Sequence, residues 1–226
     1  TSDPNNPGAY TSNYNIPHRF TLRVGYKHEF IDGYATRFNV FASANEGRGM
    51  SYTFGDVQRL DDDGEIEYVD VLDQFYGDDD TGGGRQLLYV PAVDDPNVVY
   101  GPDFDLDAFN AFISSEGLGR GKIASRNGTN GDWWTKVDVR ISQELPAFAE
   151  GHRASAFFVI ENLGNLLNDD WGVLKQGNFV SESVVGASIN DDGQYVYEEF
   201  FGADQRDSYS TAASLWEVRV GVSYRF

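Results

Sequence analysis

The side chains of this sequence that could do chemistry are mostly carboxylates. Asp61-Asp62-Asp63-Gly64 and Asp78-Asp79-Asp80 cluster the oxygen donors that a hard cation such as calcium prefers. The alternating ligands and closing Glu of an EF-hand loop are missing, so a solvated acidic stretch is the favoured reading. His18, His28 and His152 fall in separate segments. Even the nearest pair, His18 and His28, would stand roughly 30 Å apart along one strand. Gly117-Leu118-Gly119-Arg120-Gly121 imitates a phosphate-cradling loop but does not sit between a strand and a helix. Cys is absent, which removes disulfides, thiolate metal sites and a Cys nucleophile. The 36 acidic residues offer too many pairs to single out an acid–base couple, and no Ser-His-Asp set assembles. We expect a non-enzymatic chain with no cofactor.

Composition narrows the class. The chain has 226 residues, enough for one large domain or two small ones. Its formal net charge is −19, which argues against nucleic acid as a partner, because phosphate backbones call for a basic surface. An aromatic content of 15% argues against disorder. With 25 Gly, 7 Pro and few helix-forming runs, a β protein with long loops is expected. No run of 18 apolar residues marks a membrane helix. The opening Thr1-Ser2-Asp3-Pro4 has neither a Met nor a leader pattern, so a mature product or a piece of a longer chain is expected.

The elements that must position these residues are strands. In 215–226, Trp216, Val218, Val220, Val222, Tyr224 and Phe226 share one face; Glu217, Arg219, Gly221, Ser223 and Arg225 share the other. In 18–30, Phe20, Leu22, Val24, Tyr26 and Phe30 share a face with His28, opposite Arg19, Thr21, Arg23, Gly25, Lys27 and Glu29. In 132–145, Trp133, Val137, Val139, Ile141 and Leu145 oppose Trp134, Lys136, Asp138, Arg140, Ser142 and Glu144. Segments 34–45 and 153–162 alternate less cleanly: Phe41 and one of Phe157 or Phe158 fall on the wrong face. Soluble strands average about 5–6 residues. Strands about twice as long are what a tilted crossing of a bilayer requires.

Connection lengths alternate. Residues 31–33 and 146–152 are short turns, whereas 46–131 and 163–214 are long loops. In an up-and-down sheet all short turns then lie at one end, as in outer-membrane barrels with short periplasmic turns. Residues 56–107 carry a net charge of −14 and residues 163–214 carry −7, so the remainder, with the strands, is +2. Trp133, Trp134 and Trp216 fall toward the loop ends; Phe30, Tyr34, Tyr224 and Phe226 fall toward the turn ends, as interfacial girdles would. The expected fold is all-β, part of an antiparallel up-and-down transmembrane barrel. Its candidate lumen face is Arg19, Arg23, Lys27, Lys136, Asp138, Arg140, Glu217, Arg219 and Arg225.

The ending Arg219-Val220-Gly221-Val222-Ser223-Tyr224-Arg225-Phe226 resembles the signal by which the barrel-assembly machinery recognises outer-membrane proteins, carried by Arg219, Gly221, Tyr224 and Phe226. A wider resemblance joins it. PHRFTLRVGYKHEF (17–30), QLLYVPA (86–92), GRGKIASRNGTNGDWWTKVDVRISQELP (119–146), IENLGNLLNDDWGV (160–173) and SLWEVRVGVSYRF (214–226) resemble the C-terminal barrel region of Oar-like TonB-dependent receptors. Residues 56–85 and 177–213 lie outside the resemblance. It implies a 22-stranded barrel in the outer membrane of a Gram-negative bacterium. It also implies an N-terminal plug and a TonB box, neither of which is in this chain. The partners it implies are outer-membrane lipid, the remaining strands and plug, the TonB system and the assembly machinery. In that setting the acceptor pattern Asn127-Gly128-Thr129 carries no weight.

Residues 107–115 read as a short helix with Ala108, Phe109, Phe112 and Ile113 on one face and Asp105 or Asp107 as cap. Two other classes stay open at this point. One is a soluble, secreted acidic β-sandwich that binds glycan or calcium. The other is a passive porin or structural outer-membrane protein.

Overall fold

The computed structural model describes residues 9–60, 63, 66–69, 86–176, 181–202 and 208–226. In chain order the first strands are β1 (Arg19–Ile31), β2 (Tyr34–Asn45), β3 (Gly49–Gly55), β4 (Val57–Leu60) and β5 (Ile66–Val69). β6 (Tyr89–Val90), β7 (Val98–Tyr100), helix α1 (Leu106–Ser115), β8 (Lys122–Ile123) and β9 (Thr129–Asn130) follow. Then come β10 (Trp134–Leu145), β11 (Arg153–Glu161), α2 (Leu163–Leu167), β12 (Lys175–Gln176) and β13 (Ser181–Ile189). β14 (Tyr195–Phe200), β15 (Ser208–Tyr209), α3 (Thr211–Ser214) and β16 (Glu217–Arg225) complete the chain. No described helix is long and apolar enough to cross a membrane.

The chain divides into two compact units. The first comprises Ile16–Gly47, Asp132–Gln176 and Tyr209–Phe226. It is built on one antiparallel sheet in the order β1-β2-β10-β11-β16, a meander with neighbours in chain order. Its strands have 13, 12, 12, 9 and 9 residues, mostly well beyond the usual soluble length. Pairing period-2 stretches in this register keeps most of their apolar side chains on one side. Among the described residues the sheet is open: β1 pairs only with β2, β16 pairs only with β11, and the outer edge of each carries no further strand.

The second unit is drawn from the described parts of Thr1–Asn15, Arg48–Gly131 and Gly177–Ser208. The stretches 46–131 and 163–214, expected as long loops, instead build a sheet in the order β7-β14-β13-β3-β9. That sheet is mixed: β13 runs parallel to β3 and β14 runs parallel to β7. The antiparallel up-and-down expectation therefore describes the first unit alone. The reason is burial on both faces. Six consecutive residues of β3, Gly49 through Phe54, are all buried, so no alternation marks the strand.

Helix α1 caps this unit's core. Asp105 Oδ1 accepts from the Ala108 amide at 2.9 Å, a side-chain N-cap, and Phe109, Phe112 and Ile113 are buried. The helix stops at Glu116; Gly117 follows with φ +62, the left-handed turn that closes a helix end. The Gly117–Gly121 stretch thus ends a helix rather than opening one. Tyr52 meets Phe112 edge-on at 4.9 Å and Phe109 meets Phe200 at 5.4 Å, a largely aromatic core. Within it the carboxyl of Glu182 is buried; loss of water and the nearby Glu116 push it up to about 7. Asp95 is the opposite case. It accepts from the amides of Ala92 at 2.9 Å and Asn97 at 3.0 Å, and from the Tyr89 hydroxyl at 2.7 Å, which holds it below the ordinary carboxylate value.

Candidate functional site

The five-stranded sheet brings the sequence-derived residues together by register. In an antiparallel sheet, residues directly opposite one another share a face. Leu22 faces Ala42, which faces Val137; Val24 faces Val40, which faces Val139; Val139 faces Ile160, which faces Val218. One row further, Tyr26, Phe38, Ile141, Phe158 and Val220 continue the same face across all five strands. The result is a largely apolar sheet face, interrupted toward the turn end by His28, Thr36 and Gln143; its edge-strand side chains are exposed among the described residues. Phe20 is 62% exposed, Leu22 60%, and Val220 and Val222 74% each.

Aromatic rings edge this face at both ends. At the loop end Trp133 stacks on Phe20 at 5.9 Å and lies 6.4 Å from His18, which meets Glu46 Oε2 at 2.6 Å. At the turn end His28 meets Phe30 edge-on at 4.4 Å, and Tyr224 lies 5.6 Å from His152 and 5.9 Å from Phe148. Ten residues separate Phe20 from Phe30. That is about 33 Å of strand, or about 25 Å of height at a tilt near 40°, the height of a barrel's apolar band.

The other face is polar and carries every candidate lumen residue. From β1 come Arg19, Arg23 and Lys27; from β10, Lys136, Asp138 and Arg140; from β16, Glu217, Arg219 and Arg225. Register adds Arg37 of β2, Glu144 of β10 and Arg153 and Glu161 of β11. Pairwise alternation in the single sequence did not reveal Arg37 and Arg153, because their strands are the less regular ones. Pairing them through the two short turns would have found them. Ion pairs cross the strands from Arg37 to Glu144 at 2.7 Å, from Lys136 to Glu161 at 3.7 Å and from Arg219 to Glu161, and run within a strand from Lys136 to Asp138 at 3.5 Å and from Arg219 to Glu217 at 2.8 Å.

The candidate assembly-signal residues divide between the faces. Tyr224 falls in the apolar row with Ala154, whereas Arg219 and Gly221 face Val159 and Phe157 on the polar side. Phe226 is 98% exposed at the turn end. Phe157, the aromatic on the unexpected face, lies over Gly221 and carries the Arg140 guanidinium 4.7 Å from its ring centroid.

A buried amide ties the loop end. Asn162 is fully buried with φ 53, a backbone region that Asn tolerates better than most residues. Its amide N–H donates to Asp138 Oδ1 at 2.9 Å; its Nδ2 donates to the carbonyls of Gly172 at 2.9 Å and Ser214 at 2.6 Å. One side chain thus holds the chain leaving β11 against the chain entering β16.

The remaining motifs find structural roles or fall outside the described residues. Asn127 is buried and hydrogen-bonded to Ser51, Thr11 and Asn13, so its amide is spoken for. Asp61, Asp62 and Asp78–Asp80 lie outside the described residues, and Asp63 is exposed. Among the described residues no group of three or more His, Asp or Glu could hold a metal ion. No protein-family model, curated protein or solved structure matches this chain.

Proposed function

We propose that the five-stranded sheet is a sector of the wall of a transmembrane barrel in the outer membrane of a Gram-negative bacterium. On this reading the chain is the C-terminal barrel portion of an Oar-like TonB-dependent receptor, and the substrate that passes the gated barrel is open. One observation carries the reading: an apolar face, in register over five strands and edged by aromatics at both ends, has no covering layer among the described residues of its unit. In water such a face costs about 25 cal/mol for each Å² exposed, and a soluble sandwich would bury it against a second layer. In hydrocarbon it is at home, and the charged residues of the strands then line the interior.

The bare outer edges of β1 and β16 support the same reading. An edge in lipid leaves backbone groups unsatisfied at several kcal/mol each, so the sheet calls for further strands on both sides. A plug and TonB box encoded ahead of Thr1 would favour the receptor over a passive porin. The test of the membrane reading is phase separation between detergent and buffer, with fold checked by circular dichroism. Recovery in the detergent phase is expected; a folded monomer in the aqueous phase rejects it.

A further inference from the structure

Two like-charged pairs face each other across β11 and β16, and the sheet treats them differently. At the loop end Glu161 is directly opposite Glu217. Their repulsion is answered: Arg219 pairs with both, and Lys136 Nζ lies 3.7 Å from Glu161. At the turn end Arg153 is directly opposite Arg225. Among the described residues no acid forms an ion pair with either, nor with Arg140, which stacks on Phe157 instead. Like charges placed directly opposite destabilise a sheet, so this pair stands ready for an anion.

Arg140, Arg153 and Arg225 line a concavity of about 820 Å³ together with Ser142, Ser155 and Ser223 and the carboxylates of Glu144 and Glu150. That volume is in the range of small-molecule sites, about 300–1,000 Å³. Arg37 also lines it, but its charge is taken by Glu144 at 2.7 Å. Arg153 and Arg225 stand directly opposite on neighbouring strands about 4.8 Å apart, so one small solute spans both, while Arg140, in register with Val159, lies about 20 Å further along the face. Guanidinium forks take carboxylate and phosphate oxygens two at a time, and hydroxyls supply further donors.

We propose that this turn-end half of the polar face is a binding station for a small, multiply charged anion, a solute bearing phosphate or several carboxylates. Its place inside a transport barrel rests on the membrane reading; its anion chemistry does not. In the loop-end half the facing carboxylates of Glu161 and Glu217 are already matched by Arg219 and Lys136.

The test titrates the full chain, in detergent micelles and in plain buffer, with inorganic pyrophosphate and separately with citrate. Calorimetry and, for pyrophosphate, phosphorus NMR line width are the readouts. Saturable one-to-one binding of at least one of the two is expected, weakened by salt. Arg153→Gln and Arg225→Gln should each weaken it about tenfold or more, since each removes charge-assisted hydrogen bonds. Arg19→Gln and Arg23→Gln make the same change in net charge at the other end and should leave it unchanged. Tryptophan emission checks that each variant keeps its fold. Arg225→Lys, which retains the charge but loses the fork, serves if the Gln variants do not. Absence of saturable binding, or equal weakening by Arg23→Gln, overturns the proposal. So does a Glu-rich peptide that binds the same arginines more tightly than either small anion, which would reassign the patch to a polypeptide. Binding by a chain that stays in the aqueous phase keeps the station and rejects the membrane wall; partition into detergent without binding does the reverse.

Discussion

The ring of Phe157 lies across the backbone of Gly221 on the neighbouring strand, where a Cβ would collide with it. The glycine of the candidate terminal signal therefore has a packing reason on this sheet, independent of recognition by any machinery. A missing side chain on one strand is filled by an aromatic from the next. Gly221→Ala should lower the stability of the sheet by about 1–3 kcal/mol, the usual scale for overpacking. Pairing it with Phe157→Ala should recover part of that loss, read as a coupling energy in a double-mutant cycle of urea unfolding. Strictly additive losses would mean that the ring and the glycine do not sense each other.

Charge on the apolar face is the sharpest probe of what that face touches. Val220→Arg should cost about 2–4 kcal/mol if the residue lies near the middle of a bilayer, whereas Ser223→Arg, on the polar face, should cost little. Folding into lipid vesicles, followed by the mobility of unheated samples on gels, separates the two. Equal tolerance of both variants argues that hydrocarbon is not the neighbour of Val220.

Asn162 holds two carbonyls and a left-handed backbone position at once. Asn162→Ala should cost about 1–3 kcal/mol, chiefly through the Ser214 carbonyl, which loses its donor, and also through one of the two hydrogen bonds at the Gly172 carbonyl. Asn162→Gly removes the backbone strain but not the lost bonds, and should remain destabilised. Urea midpoints read by tryptophan fluorescence check this directly, because Trp134 Nε1 donates to the Gly172 carbonyl at 3.0 Å.

The second unit should answer to pH through Glu182. Its folded carboxyl titrates near 7, above the ordinary value of 4.5. The unfolded chain therefore releases its proton first, and stability falls as pH rises from about 4.5 toward 7, then levels off. Glu182→Gln should flatten that fall. All four tryptophans (Trp133, Trp134, Trp171 and Trp216) belong to the first unit, so their emission is blind to this change. Amide exchange at Tyr52 and Val184 is the suitable readout. Identical pH profiles for the wild type and Glu182→Gln would refute the assignment.

The five long strands were legible because a two-sided environment writes itself into the sequence at period 2. Their bounds differ from expectation by two residues or fewer at any end. Phe157 broke the pattern because it serves Gly221 on the next strand, a relationship no single strand displays. Nothing in the structure explains Phe41 on the polar face. The second unit was illegible for a physical reason: β3 is buried on both faces, and its partner β13 lies about 130 residues away, as Thr53 paired with Ser183 illustrates. Parallel pairing at that range leaves no local signal. Helix α1 was legible because its cap and its apolar face are local.

The strands that flank each long connection are hydrogen-bonded neighbours: Asn45 stands opposite Trp134, and Glu161 stands opposite Glu217. Either excursion could thus be swapped for a hairpin turn without altering the ladder. Yet β3 of the first excursion and β13 of the second are sewn to each other. Trimming one would strip its counterpart of half a core. The two must be lost, gained or replaced in evolution as a single cassette, while the ladder that bears them drifts on its own terms.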